Sequence, residues 1–483
     1  MLFNSLDFAI FLPVVFLLYW FVANQNLKLQ NLLIVVSSLV FYGWWDWRFL
    51  SLIVFSTLLD FTVGWKLASN DKNESRRRLL LWTSIISNLG ILGFFKYFNF
   101  FQENFVAAFS FFGAKIPGNS LNIILPVGIS FYTFQTLSYT IDVYKRKLEP
   151  TRDLVSFAAF VCFFPQLVAG PIERASNLLP QFFSQRNFNY GKAVDGLRQI
   201  LWGLFKKVVV ADNCAGFVNQ IFDHSAELNG STLLLGACFF AFQIYGDFSG
   251  YSDIAIGTAR LLGFELKQNF AFPYFSRDVA EFWRRWHISL STWFRDYLYV
   301  PLGGSRCNTM MKIRNTFIIF IVSGFWHGAN WTFIAWGALN ALYFLPLLLA
   351  GKNRNHLEIV ACNQKLPNLN ELLMMLMTFG LMVFAWIFFR ANNISHAISY
   401  VAGIATPSLF STPESITSPK GLLTLVFILI CVVVEWSGRR GEHALALLLL
   451  KRSKILRWLF YFVLALTILL FSGSKQEFIY FQF

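Results

Sequence analysis

A chain of 483 residues that is 56% hydrophobic and only 14% charged, with a positive mean hydropathy, has lipid rather than water as its main solvent. Its formal charge of +14 would suggest nucleic acid in a soluble protein, but the basic residues gather in short loops between apolar runs, as membrane topology requires, so no nucleic-acid partner is expected. Six scattered cysteines without a Cys-x-x-Cys pair indicate neither a disulfide framework nor a metal site, and no bound cofactor is expected.

Apolar runs long enough to cross hydrocarbon recur from the first residues, and the sequence predicts spans near 2–22, 31–50, 51–69, 79–100, 121–143, 154–170, 197–222, 231–248, 371–391, 421–437 and 455–472. The first run has no basic leader or small-residue cleavage site and reads as a retained helix. The expected fold is all-α: one polytopic membrane domain over 1–483, with about ten to twelve transmembrane helices and additional re-entrant or interfacial helices. Arg76, Arg77 and Arg78 form one basic loop and Lys145, Arg146 and Lys147 another; two spans separate them, which puts both on the cytoplasmic face and the N-terminus outside.

The run Gln243-Ile-Tyr-Gly-Asp247-Phe-Ser-Gly-Tyr251-Ser-Asp253 is expected at the end of the 231–248 span. Its carboxylates can orient histidines or pair with the arginines of 277–295, and a structural ion-pair network is as good a reading as a part in the chemistry. Gly246-Asp-Phe-Ser-Gly250 is not the Gly-x-Ser-x-Gly elbow, because its serine is displaced by one place.

Residues 264–315 break the apolar pattern with eight Lys or Arg against four Asp or Glu. Stretches such as Glu281-Phe-Trp-Arg284-Arg285-Trp-His287 suit amphipathic helices at a membrane surface or along a water-filled cavity. The following stretch, 316–349, is apolar but interrupted by Gly324, His327, Gly328 and Asn330, and predicts a broken helix or a hairpin that dips into the membrane and returns.

His224, His356, His396 and His443 fall in polar connecting stretches and read as solvated surface residues. His327 has apolar or aromatic neighbours on both sides, including Trp326, so it is expected at membrane depth, where an ionisable group is a functional candidate. A neutral imidazole there can take a proton from a hydroxyl and return it to a leaving group, as acyl transfer demands. Residue type alone equally allows a histidine satisfied by a carbonyl between packed helices. His287 stands forty positions earlier, so only the fold can pair the two; a second site residue and an interfacial histidine both fit. Arg284, Arg285 and Arg295 can bind phosphates of a nucleotide-bearing donor, or equally anionic lipid heads.

Trp286-His287 some forty residues before Trp326-His327-Gly328, in a polytopic chain, resembles the membrane-bound O-acyltransferase family. Gly128-Ile-Ser-Phe-Tyr-Thr-Phe-Gln135, Ala169-Gly-Pro-Ile-Glu173, Asp247 to Asp253, Phe282 to His287 and Pro301-Leu-Gly-Gly304 are similar to its bacterial branch, which acetylates alginate and peptidoglycan or alanylates teichoic acid. The resemblance is densest from 126 to 345. It implies helices around a central tunnel in a bacterial inner membrane and an acyl group moved from a cytoplasmic donor such as acetyl-CoA to an extracytoplasmic polysaccharide. It also implies a separate periplasmic or cell-surface transferase of the SGNH serine-hydrolase type as partner. His327 matches the family's catalytic histidine and His287 the second family histidine. Asn330, Trp326, Asp247, Tyr251, Asp253 and Gln243 are then expected around the site or tunnel, with Arg284 and Arg285 at the donor. The ending Glu477-Phe-Ile-Tyr480-Phe-Gln-Phe483 resembles a terminal tyrosine motif of the same branch, implying that Tyr480 carries the acyl group in transit; an aromatic membrane anchor is the other reading. D-alanyl transfer to teichoic acid, and a transporter or flippase with a His327/Asp247 proton relay, are the rival functions.

Overall fold

The computed structural model describes residues 1–483 except 114–120, 169, 415–417, 449, 451, 475, 477 and 480–483, so Tyr480 and the residues after it lie outside the described part. Among the described residues every regular element is helical, and six helical runs are long and apolar enough to cross a membrane. They are Leu27–Ser69, Glu74–Phe111, Gly230–Leu261, Trp331–Leu349, Leu369–Arg390 and Pro419–Gly438, with shorter apolar helices at Leu6–Val22, Leu154–Leu167 and Ile394–Ile404. The chain divides into two compact units, residues 1–193 with 258–267, and residues 194–257 with 268–483.

In the first unit the expected 121–143 span begins as a helix only at Ile129 and runs to Tyr144, buried along nearly its whole length. The 154–170 span divides into Leu154–Cys162 and Phe164–Leu167 around Phe163. A carboxylate far from water, Asp60, accepts hydrogen bonds from Ser84, Asn88 and Thr140 of two neighbouring helices, which holds the three together.

The second unit carries both candidate histidines. The expected 231–248 span is in fact part of a 32-residue helix, Gly230–Leu261, so the Gln243–Asp253 polar run lies inside the helix rather than at its end. Helix continues through these polar groups because their partners are built in. The helical stretch from Tyr190 to Asp223 packs against it backbone to backbone: a Cβ on Gly203 would come within 2.6 Å of the Gly250 carbonyl oxygen, and one on Gly250 within 2.7 Å of the Gly203 oxygen. That stretch is π-helical over Phe205–Ala211, and there Lys206 and Lys207 turn into the interior at 2% and 1% exposure. Lys206 Nζ lies 2.7 Å from Asp253 and Lys207 Nζ 2.7 Å from Asp247. The arginines of 277–295 were the expected partners of these carboxylates; the two lysines take that place.

His443 corrects another expectation. It is buried, with Nε2 3.1 Å from Asp195, because Gly438 lets the chain turn back so tightly that a Cβ there would collide with Ala444.

The stretch 316–349 is a helical hairpin. Thr309–His327 and Trp331–Leu349 are separated by three residues and packed so closely that a Cβ at Gly324 would collide with the Phe333 carbonyl, and one at Gly337 with the Phe320 carbonyl. Such overpacking costs about 1–3 kcal/mol. Gly337→Ala is therefore expected to lower the unfolding midpoint of the purified protein in detergent, while Gly380→Ala, whose Cβ would meet nothing within 4 Å, leaves it unchanged or raises it.

Candidate active site

His327 is the last residue of the first hairpin helix, with Gly328 in extended conformation directly after it. A Cβ at Gly328 would strike the Phe333 ring, so only glycine lets the chain reverse there and leave the imidazole inside. The side chain is 4% exposed. Among the described residues, three aromatic rings lie against it: Trp326 with centroids 5.0 Å apart, and Trp336 and Phe389, each at 5.2 Å. These rings pack against the imidazole and fix its orientation.

His287 is placed by a different device. It caps the Ile288–Phe294 helix with φ +43° and ψ 54°, a left-handed conformation that a histidine adopts at some cost. Asn269 fixes the turn. Its backbone carbonyl accepts from Ile288 N–H at 2.9 Å, and its side-chain oxygen accepts from Ser289 N–H at 3.3 Å and Ser289 Oγ at 2.9 Å. His287 Nδ1 lies 3.2 Å from that same oxygen. A backbone N–H can only donate, so the Asn269 atom is oxygen, the His287 proton sits on Nδ1, and the lone pair sits on Nε2. Asn269 in turn donates to Ser252 Oγ at 3.1 Å. Burial pushes the His287 imidazole down to about 3, so it is neutral throughout the physiological range.

The two histidines belong to one site. Trp326 stands between them, its ring 6.1 Å from that of His287 and 5.0 Å from that of His327. Both line a cavity of about 490 Å³ walled by Trp283, Trp286 and Phe320. Its lining passes from these buried groups to Arg295 and Arg354, which are exposed, and Lys312, which is half-buried.

Arg295 is thus the member of the expected arginine trio that reaches the cavity. Arg284 donates to the carbonyls of Asn353 and His356, both at 2.7 Å, and Arg285 pairs with Glu281 at 2.8 Å and donates to the Glu358 carbonyl at 3.1 Å. These two guanidiniums clamp the 353–358 loop. Asn330 caps the second hairpin helix through Thr332 N–H and donates to the Asn392 carbonyl, which makes it a brace for the hairpin end. Asp247, Tyr251 and Asp253 sit in the lysine clusters of the long helix, with Gln243 buried one turn before Asp247; none of the four is among the described residues lining the cavity. Asn269, Lys312 and Arg354 are the residues that sequence reasoning missed. A lone amide in the aromatic stretch 264–275 was the available sign for Asn269; Arg354 reaches the cavity only through the fold.

A family model described as MBOAT, the membrane-bound O-acyltransferase family, matches residues 45–389. The chain belongs to this family. It is a membrane-bound acyltransferase. It is 39% identical over 399 residues to a protein of Pseudomonas aeruginosa named probable alginate O-acetylase AlgI, covering 82% of this chain and 73% of that one. It is 37% identical over 433 residues to the peptidoglycan O-acetyltransferase of Helicobacter pylori, covering 84% and 80%. The teichoic acid D-alanyltransferase of Streptococcus thermophilus is 31% identical over 229 residues, 45% of this chain and 55% of that one.

The burial of His287 has a sign that can be checked. Its folded value of about 3 lies below the ordinary 6.5, so the unfolded chain binds the proton first as pH falls. Its contribution is whole above pH 6.5 and is lost towards pH 3, by up to about 1.4 kcal/mol per pH unit. Between pH 7.5 and 5.5 the wild type is expected to lose about 1 kcal/mol more unfolding free energy than His287→Gln; equal losses in the two proteins contradict the neutral assignment.

Proposed function

We propose that this MBOAT acyltransferase is an O-acetyltransferase of a bacterial inner membrane, taking acetyl from acetyl-CoA for transfer to an extracytoplasmic polysaccharide, alginate-like or peptidoglycan. The observation that carries the reading is a cavity shared by both histidines in its aromatic interior, with Arg295, Lys312 and Arg354 towards its exposed end. A donor with phosphates at one end and a small thioester at the other matches that gradient, since guanidinium and ammonium groups bind phosphate while the aromatic floor admits a short acyl chain.

In the reaction, His327 takes the proton of an attacking hydroxyl, the hydroxyl oxygen bonds to the thioester carbonyl carbon, the carbon–sulfur bond breaks, and the proton passes to the departing thiolate. His287, neutral and fixed with Nε2 as its acceptor atom, orients or receives a proton beside it. Tyr480 supplies the first hydroxyl and becomes an acetyl ester; a periplasmic partner of the SGNH serine-hydrolase type then moves the acetyl group to the polymer, which divides a long transfer into local ones. The names of the relatives support acetyl over D-alanyl cargo, because the alginate and peptidoglycan proteins match over 82% and 84% of this chain and the teichoic acid protein over 45%.

Purified His327→Ala in liposomes is expected to release coenzyme A from acetyl-CoA about 10²–10⁴ times more slowly than wild type. Retained release overturns His327 as the base, and full turnover in Tyr480→Phe overturns the carrier role. Arg295→Ala and Arg354→Ala are each expected to raise KM for acetyl-CoA about tenfold with kcat nearly held. Arg284→Ala instead lowers thermal stability, because its partners are loop carbonyls.

A further inference from the structure

The segment after the Lys454–Leu470 helix does not run out over the surface. Asn213 donates to the Phe471 carbonyl at 2.9 Å, and Gly473 N–H donates to the Val208 carbonyl at 3.1 Å. The chain then turns into the interior of the same unit, where Phe478 is 0% and Ile479 1% exposed. The Phe478 ring lies 4.4 Å from that of Tyr251 and 6.0 Å from that of Phe248, and Phe248 meets the His287 imidazole edge-on at 4.6 Å. One ring therefore separates this segment from the candidate site.

The seat is polar at its base. Lys207 bridges Asp247 at 2.7 Å and Asp212 at 2.8 Å, and its ammonium reaches the Gln476 carbonyl at 3.4 Å. One ammonium shared by two buried carboxylates leaves carboxylate oxygens that need further hydrogen-bond donors to be tolerated in the interior. Ile479 N–H is such a donor, at 2.7 Å from Asp247 Oδ2. Segment and cluster thus complete each other.

We infer that Asp247, held by the Lys207 ammonium that it shares with Asp212, is a positioning residue that latches the chain at Phe478 and Ile479 in one register and so presents the residue after Ile479 to the acyl-transfer site. The transfer role rests on the carrier reading above; the latch rests on the described contacts alone. A slip of one residue along the seat moves every later residue by one position and so changes which side chain is presented.

Ile479→Pro removes the Ile479 N–H that meets Asp247 and leaves the charged cluster intact; Ile479→Val keeps the N–H and serves as control. In the full-length protein in detergent, amide exchange over 471–479 is expected to accelerate at least about tenfold in the Pro variant and to match wild type in the Val variant. Turnover of acetyl-CoA is expected to fall about tenfold or more in the Pro variant, with KM within about twofold, as a misplaced reacting group requires. Phe478→Ala, which empties the Tyr251 seat without touching Asp247, is expected to give the same pair of changes. Unchanged exchange in both variants overturns the latch, and released segments with undiminished turnover overturn its positioning role. Full turnover in Tyr480→Phe removes the carrier reading while leaving the exchange result to decide the latch.

Discussion

The site depends on the close packing of one helical hairpin. Gly324 lies against the Phe333 carbonyl and Gly337 against the Phe320 carbonyl, and Gly328 lies against the Phe333 ring. These contacts close the helical hairpin tightly enough to hold His327 among Trp326, Trp336 and Phe389. As the base of the proposed transfer, the imidazole must be placed, and these rings and the helix end contribute to that placement. An imidazole so placed suits the proposed role of taking and returning a proton.

The second histidine is held by the opposite means. Aromatic packing fixes His327, whereas hydrogen bonds fix His287 through Asn269, which braces the left-handed turn and sets the proton on Nδ1. Behind both, Lys206 and Lys207 join the Tyr190–Asp223 stretch to the long Gly230–Leu261 helix through Asp253 and Asp247. Removing one partner of such a pair leaves a charge with no route to water, so these residues are expected to be intolerant of substitution for reasons of folding as well as function.

Much of this was legible in the sequence. The all-helical membrane class followed from apolar runs alone, and the break at Gly328 marked the hairpin because polar residues in an apolar stretch need an internal reason. His287 and His327 stood out by setting, but forty residues apart nothing in their spacing could pair them. The lysines were hidden because they fall inside the expected 197–222 span, where nothing in the residue pattern pairs them with Asp247 and Asp253; a π-helical turn, which residue pattern does not announce, brings both inside. Arg284 and Arg285 looked like the donor arginines by proximity to His287, yet loop carbonyls claim them, while Arg354 reaches the cavity from far along the chain. His443 looked solvated because its neighbours are polar, and only the tight turn at Gly438 buries it.

The central claim is that one cavity holds the donor with its thioester between the two histidines. A structure of the protein with a non-hydrolysable thioether analogue of acetyl-CoA tests it most directly. The account predicts density for the acyl end between His287 and His327 and for the phosphates beside Arg295, Lys312 and Arg354; an analogue bound elsewhere, with this cavity empty, would contradict it.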